Sequence, residues 1–290
     1  MGLFSYPSSV FQGDDVSAQI ISSQQPIGVF DSGVGGLSVL REIHQLLPNE
    51  QLHYVADSGF APYGNRSTEY ILARCECIVR FFLDQKVKAI VIACNTATAV
   101  AVDQLRSWCP VPIIAMEPAI KPASLHTKSG KIGVLATEQT VISDKVGKLI
   151  AAHGQAIEIF LSSCVGFVEL VEQGKLVGSE TEDLVRSYVL PLINQGVDTL
   201  VLGCTHYPFL ESVIQQVAGE HIQLIDPSPA IAQQLKRRLH HHQILASEDR
   251  LGQLVFWSSG DPVMAVQMIT RLLSDQTAQV DVLPLPASQF

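Results

Sequence analysis

Ala89-Ile90-Val91-Ile92-Ala93-Cys94-Asn95-Thr96 is an aliphatic, partly β-branched run that ends in a thiol, and it recurs as Thr199-Leu200-Val201-Leu202-Gly203-Cys204-Thr205-His206. A short run of this kind forms a strand buried on both faces of a parallel sheet, which places each thiol where a strand opens into a loop. A second echo runs in the same order at a comparable offset: Ile27-Gly28-Val29-Phe30 returns as Ile132-Gly133-Val134-Leu135. Two matches in one order imply an internal duplication and hence two related α/β halves.

Working outward, strands at 27–30, 52–56, 89–93 and 112–115 alternate with helices at 36–47, 67–85 and 98–107. A second series starts at Lys131, with strands at 132–135, 156–160 and 198–202 and helices at 138–152, 166–173, 179–194 and 208–217. This alternation predicts two similar doubly wound, mostly parallel sheets. A further strand at 222–225 precedes helices at about 228–242 and 261–274; this tail is too short for a third domain and is expected to complete and cover the first. X-Pro pairs disfavour helix, so the boundaries are placed at Glu117-Pro118 and Asp226-Pro227. That gives a first domain of 27–117 plus 227–290 and a second of 118–226. Residues 1–26, rich in Ser, Gln and Gly without a sustained period, read as a flexible arm.

A chain of 290 residues, 47% of them hydrophobic, can bury the cores of two ordinary domains. Its net charge of −9 argues against a nucleic-acid footprint, and the one basic cluster, Lys236-Arg237-Arg238, reads as a solvated helix face. The first 26 residues hold no Lys or Arg and no long apolar stretch, and the longest apolar run is broken at Cys94-Asn95-Thr96, so neither a secretory signal nor a membrane span is expected. The expected location is the cytoplasm. Met1-Gly2 begins a myristoylation motif that Tyr6 leaves incomplete. The six cysteines read as free thiols, with Cys75, Cys77 and Cys109 as core filling, and none stands in a CxxC pair.

The loop Asp31-Ser32-Gly33-Val34-Gly35-Gly36 lies between a strand and a helix. Its glycines suit either a tight turn or the approach of an anion to loop amides. It is not a dinucleotide fingerprint, because Ser38 stands where the third glycine belongs. Asp31 and Ser32 nevertheless lie where open α/β sheets place ligand groups. Pro62-Tyr63-Gly64-Asn65-Arg66 is a turn at the same sheet edge. Cys94-Asn95-Thr96 and Cys204-Thr205-His206 each pair a thiol with polar side chains and a following helix, whose N-terminus is expected to lower the thiol pKa. A lone buried Cys is ordinarily packing, whereas two at matching strand ends point to chemistry. Thiols on opposed faces can remove a proton from one side of a carbon and return it from the other. Asp31 is the acid–base candidate beside Cys94, and His206 beside Cys204. Glu169 and Glu172 of Phe167-Val168-Glu169-Leu170-Val171-Glu172 are further candidates. Cys204 and His206 alone do not make a zinc site, and His240 to His242 read as an exposed helix end.

By Val29 to Ser38, Pro62-Tyr63-Gly64, Ala93 to Ala97 and Leu202 to Pro208, the chain resembles the glutamate racemases of the cofactor-independent aspartate/glutamate racemase family over about residues 25–290. The resemblance implies two α/β domains facing each other across a cleft, with Cys94 and Cys204 on opposite sides of a substrate α-carbon. It implies that Asp31, Ser32, Tyr63, Gly64, Asn95, Thr96, Thr205 and His206 grip L- or D-glutamate, with Thr137 as a further contact. It favours Glu172 over Glu169 as the acidic helper, because Phe-Val-x-Leu-Val-Glu is the recurring phrase. Cys94 would act on D-glutamate and Cys204 on L-glutamate, with no cofactor and no metal. The biological role implied is supply of D-glutamate for peptidoglycan. A cell-wall precursor nucleotide is the activator considered for residues 1–26, and a homodimer is the assembly considered. Three alternatives stay open: aspartate racemase, whose second motif is closer to GCTE than GCTH; a non-catalytic amino-acid-binding module; and a thiol redox enzyme, disfavoured by the missing CxxC.

Overall fold

The computed structural model describes residues 22–154, 157–249, 251–273 and 279–284. Most of the expected arm, residues 1–21, lies outside the described residues. Ser22 to Pro26 belong to the fold: the buried Lys88 ammonium donates to Ser23 O at 2.6 Å, and the Lys88 amide donates to Pro26 O at 2.8 Å.

Among the described residues every paired strand is parallel. The first sheet contains β1 (Ile27–Asp31), β2 (Leu52–Ala56), β3 (Ala89–Ile92), β4 (Ile113–Ala115), β9 (Leu254–Ser258) and β10 (Val280–Val282), in the order β10-β9-β2-β1-β3-β4. The second contains β5 (Lys131–Ala136), β6 (Glu158–Ser163), β7 (Thr199–Leu202) and β8 (Gln223–Ile225), in the order β6-β5-β7-β8. Its order repeats the β2-β1-β3-β4 portion of the first sheet. The repeat extends to register, since Gly28 faces Ile90 as Gly133 faces Leu200. The fold class expected from the sequence is the one found.

Alternation along the strands sorts their side chains to two covered faces. Val29 and Val91 face a cluster with Leu40 of α1 (Leu37–Leu46), Leu235 of α10 (Ser228–His241) and Ile269 of α11 (Pro262–Leu273). Phe30, Ile90 and Ile92 face Ile78 and Phe82 of α2 (Thr68–Asp84) and Ala101 and Leu105 of α3 (Asn95–Trp108). In the second sheet Leu135, Leu200 and Leu202 pack on α7 (Phe167–Glu172), α8 (Ser179–Asn194) and α9 (Glu211–Ala218). These side chains belong to the same cluster as the α1 face of the first sheet, so one core runs through both units.

Several boundaries differ from the sequence expectation. The helix expected over 138–152 is two, α5 (Glu138–Val141) and α6 (Asp144–His153), because the Ser143 hydroxyl accepts from the Val146 amide and starts a new helix. The strand expected at 156–160 is β6, three residues further along at its end. Helix α4 (Ile120–His126), β9 and β10 had no counterpart in the sequence reading. Among the described residues no helix is long and apolar enough to cross a membrane.

Candidate active site

From the neighbouring strands β1 and β3, and likewise from β5 and β7, the chain leaves in opposite directions along the sheet, and the carboxyl ends of each pair frame a crevice. Asp31 ends β1 and Cys94 lies two residues beyond β3; Thr137 follows β5 and Cys204 lies two residues beyond β7. The two crevices meet. One narrow cavity is lined from the first unit by Ser32, Pro62, Tyr63, Gly64, Cys94, Asn95 and Thr96, and from the second by Thr137, Val168, Cys204, Thr205 and His206. Both thiols are buried.

Cys94 is the N-cap of α3, its sulfur accepting from the Ala97 amide at 3.4 Å, with Ser32 Oγ at 3.6 Å. α3 therefore starts three residues earlier than the sequence periodicity indicates. The expected lowering of the thiol pKa does not prevail here: burial pushes the Cys94 thiol up, and the Asp31 charge adds to that, while the Ala97 amide and Ser32 pull the other way. Asp31 is itself fully buried. Burial raises its carboxyl pKa, opposed by His206. Its oxygens accept from the Gly33 amide at 3.1 Å and from the Thr205 hydroxyl at 3.3 Å.

On the other side, His206 Nδ1 lies 3.7 Å from Cys204 Sγ, and Nε2 lies 2.7 Å from Glu172 Oε1. The same carboxylate oxygen accepts from the Val34 amide at 2.8 Å. Burial works against a charged His206 ring, but its hydrogen bonds to Cys204 and Glu172, and their charges, hold its pKa well above the ordinary value. The residues after Cys204 form a 3-10 turn, Tyr207–Leu210, before α9 begins, so this thiol is not at an α-helix N-terminus. Its electrostatic partner is His206 instead.

The glycine loop's two open roles converge in this geometry. Its Val34 amide does hold an anion, the side chain of Glu172. A Cβ on Gly33 would overlap Glu172 Oε1, and one on Gly35 would overlap His206 Nδ1. Glu169, by contrast, lines a neighbouring solvent-open cavity together with Cys164 and Val165.

Asn95 is buried with neither side-chain oxygen nor nitrogen partnered, a state that buried amides avoid unless a ligand completes them. Thr96 Oγ1 reaches Thr137 Oγ1 at 2.9 Å across the cavity, and Thr137 reaches Thr140 at 3.0 Å. Hydroxyls and amides of this kind suit carboxylate and ammonium groups. Among the described residues no group of three or more His, Cys, Asp or Glu is arranged to hold a metal ion. Sequence reasoning missed Thr140, Val168 and Ser38, whose hydroxyl lies 3.0 Å from Thr205 O in the other unit.

Residues 27–235 match the family model described as Asp/Glu/Hydantoin racemase. The glutamate racemase of Ectopseudomonas mendocina is 49% identical over 261 residues, covering 90% of this chain and 98% of that one. The crystal structure of glutamate racemase from Francisella tularensis in complex with D-glutamate is similar with a TM-score of 0.79 at 30% identity, covering 90% and 98%. That of Escherichia coli glutamate racemase in complex with L-glutamate and activator UDP-MurNAc-Ala is similar with a TM-score of 0.78 at 31% identity, covering 89% and 97%. By the match over most of its length and by these relatives, the chain belongs to the Asp/Glu/Hydantoin racemase family.

Proposed function

We propose that the chain is a glutamate racemase that interconverts L- and D-glutamate without a cofactor by proton transfer to and from Cys94 and Cys204. The observation that carries this reading is the shared cavity, into which two structurally equivalent strand ends deliver one thiol each. An amino acid's α-proton is weakly acidic, so its removal needs a base, a conjugate acid opposite and stabilisation of carbanionic charge. In one direction the Cys204 thiolate takes the Cα proton of L-glutamate while the Cys94 thiol protonates the opposite face; in the other the roles exchange. His206, held by Glu172, serves as the charged partner of Cys204, and Asp31 as the acid–base group on the Cys94 side.

Asp31, Ser32, Tyr63, Gly64, Asn95, Thr96, Thr137, Thr205 and His206 are proposed to bind the substrate, a role supported by the lining of the cavity and the orphaned Asn95 amide. We assign 27–117 with 227–290 to the first domain and 118–226 to the second, as sheet membership supports. D-Glutamate for peptidoglycan, made in the cytoplasm, is the proposed product. Because the E. coli relative is described with UDP-MurNAc-Ala as activator, a cell-wall precursor nucleotide is proposed to activate this chain, through residues 1–26. Deletion of those residues without change in activity or in the nucleotide response would exclude that role.

The test of the activity follows the circular-dichroism signal of L-glutamate, and separately of L-aspartate, on incubation with the protein in the presence of chelator. Decay to zero with glutamate alone supports the proposal. Decay with aspartate alone points to aspartate racemase, and decay with neither, even with the precursor nucleotide, points to a binding module.

A further inference from the structure

Behind the Tyr63 wall of the cavity, three polar groups are packed out of reach of water: Asp57 is 0% exposed, Arg74 1% and Tyr63 1%. Asp57 directly follows β2 and is their hub. Its amide donates to Asp31 O at 3.0 Å. Its Oδ2 accepts from the Tyr63 hydroxyl and from Arg74 Nε at 3.0 Å, and its Oδ1 from Arg74 Nη2 at 2.7 Å. The ring of Phe60 covers the guanidinium, 3.7 Å from its carbon.

Burying an ion pair carries a desolvation cost that two apolar side chains of the same volume would avoid. What the pair supplies is direction: a planar guanidinium fork admits one orientation of the carboxylate it grips. Direction is needed here. Between β2 and α2 the chain has only two single 3-10 turns, Ser58–Phe60 and Tyr63–Asn65, yet this segment brings Pro62, Tyr63 and Gly64 to the cavity. Across it, a Cβ on Gly64 would come within 3.2 Å of Thr137 Cβ, so a small displacement of the wall alters the gap in which a substrate would lie.

We propose that Arg74 is a positioning residue for glutamate binding: through Asp57 it fixes the Tyr63 hydroxyl and with it the Pro62-Tyr63-Gly64 wall. The inference rests on the glutamate racemase reading, in which that wall grips the substrate. Arg74 acts through Asp57 and Tyr63 and lines no part of the cavity itself. A wall that holds ground state and transition state alike affects KM more than kcat, whereas a merely structural role would lower stability and the amount of active protein.

Racemisation kinetics of the full chain with both enantiomers test this. Arg74→Lys keeps the charge and loses the fork; it should raise KM about tenfold while kcat stays within about threefold. Tyr63→Phe, which removes only the hydroxyl, should show the same split. The combined variant should be no worse than the weaker single one, because both act through one contact. A wild-type KM in folded Arg74→Lys, a loss confined to kcat or to the unfolding midpoint, or penalties that multiply in the combined variant would overturn the proposal. Where Arg74→Lys does not fold, Arg74→Met with Asp57→Asn removes both charges together. A raised KM there supports the proposal, while a wild-type KM there, or in Tyr63→Phe if neither Arg74 variant folds, overturns it. Failure of the wild-type protein to racemise glutamate defeats the activity reading, whereas active wild type with a silent Arg74→Lys defeats only this inference.

Discussion

Glu172 Oε1 lies 2.7 Å from His206 Nε2 while accepting the Val34 amide at 2.8 Å, so one oxygen joins the imidazole beside Cys204 to the glycine loop of the opposite sheet. The carboxylate both orients the ring and stabilises its charged form. Glu172→Gln should therefore reduce kcat/KM about a hundredfold. Glu169→Gln, on the rim of the adjacent cavity, should stay within about twofold. Full turnover by Glu172→Gln in the circular-dichroism assay would remove this residue from the mechanism.

Cys94→Ser and Cys204→Ser should each reduce racemisation by about three orders of magnitude or more, since an alcohol replaces the thiol that must ionise. Thermal unfolding near the wild-type temperature would show that the loss is chemical. Normal turnover by either variant would end the two-thiol mechanism.

Gly33→Ala and Gly35→Ala introduce a methyl into the space of Glu172 and His206. Each should lower kcat/KM about a hundredfold by displacing those side chains. Gly147→Ala is the control: Gly147 is within α6, and its Cβ would meet nothing within 4 Å. It should stabilise by about 0.5–1 kcal/mol in urea unfolding and leave activity unchanged.

Asp198 accepts the Lys128 amide at 2.7 Å, the Ser129 amide at 2.6 Å and the Thr127 hydroxyl at 2.6 Å. Burial opposes its ionisation, but these hydrogen bonds prevail and hold its pKa at about 2, below the ordinary 3.8. As pH falls below about 4 the unfolded chain takes up this proton first, so the contribution is present above that pH and lost as pH approaches about 2. Asp198→Asn should flatten the acid limb of stability in that window. Urea midpoints that depend on pH as in wild type would contradict this account.

Lys88 and Glu50 form a 2.6 Å ion pair with both side chains buried, and Lys88 also donates to Ser23 O and, at 2.8 Å, to Ile244 O. Lys88→Met leaves the Glu50 carboxylate buried without its cation and should cost about 3–5 kcal/mol in urea unfolding. A loss below about 1 kcal/mol would mean that water reaches Glu50.

How legible these features were depends on the range of the interaction that creates them. The central strands announce themselves because 89–92 and 199–202 are buried on both faces and so apolar but for Thr199. Cys94 and Cys204 follow from those strands, and duplication singles them out. β9 passed unread because Leu254-Val255-Phe256-Trp257-Ser258 becomes a strand only by pairing with β2, far back in the chain. Glu172 and Glu169 are equivalent to any local reading; family resemblance preferred one, and geometry separates them by what stands opposite, Val34 and His206 against open solvent. Arg74 lies in the apolar register of Ile71, Cys75 and Ile78, and a charge in that stripe was the local sign of a buried partner. The upward shift at Cys94 arises chiefly from its burial, which no neighbour in sequence reports.

The pairing of β2 with β9 also sets an order of events during synthesis. The four-stranded sheet uses only residues from Lys131 to Ile225 and can close once that stretch has left the ribosome. The six-stranded sheet cannot, because its fifth and sixth strands are translated last, after the whole of the other sheet. Until then the outer edge of β2 presents unpaired amides and carbonyls, the feature that recruits foreign strands. The first sheet is thus the later of the two to be completed, and Leu52–Ala56 remains an edge strand until β9 pairs with it.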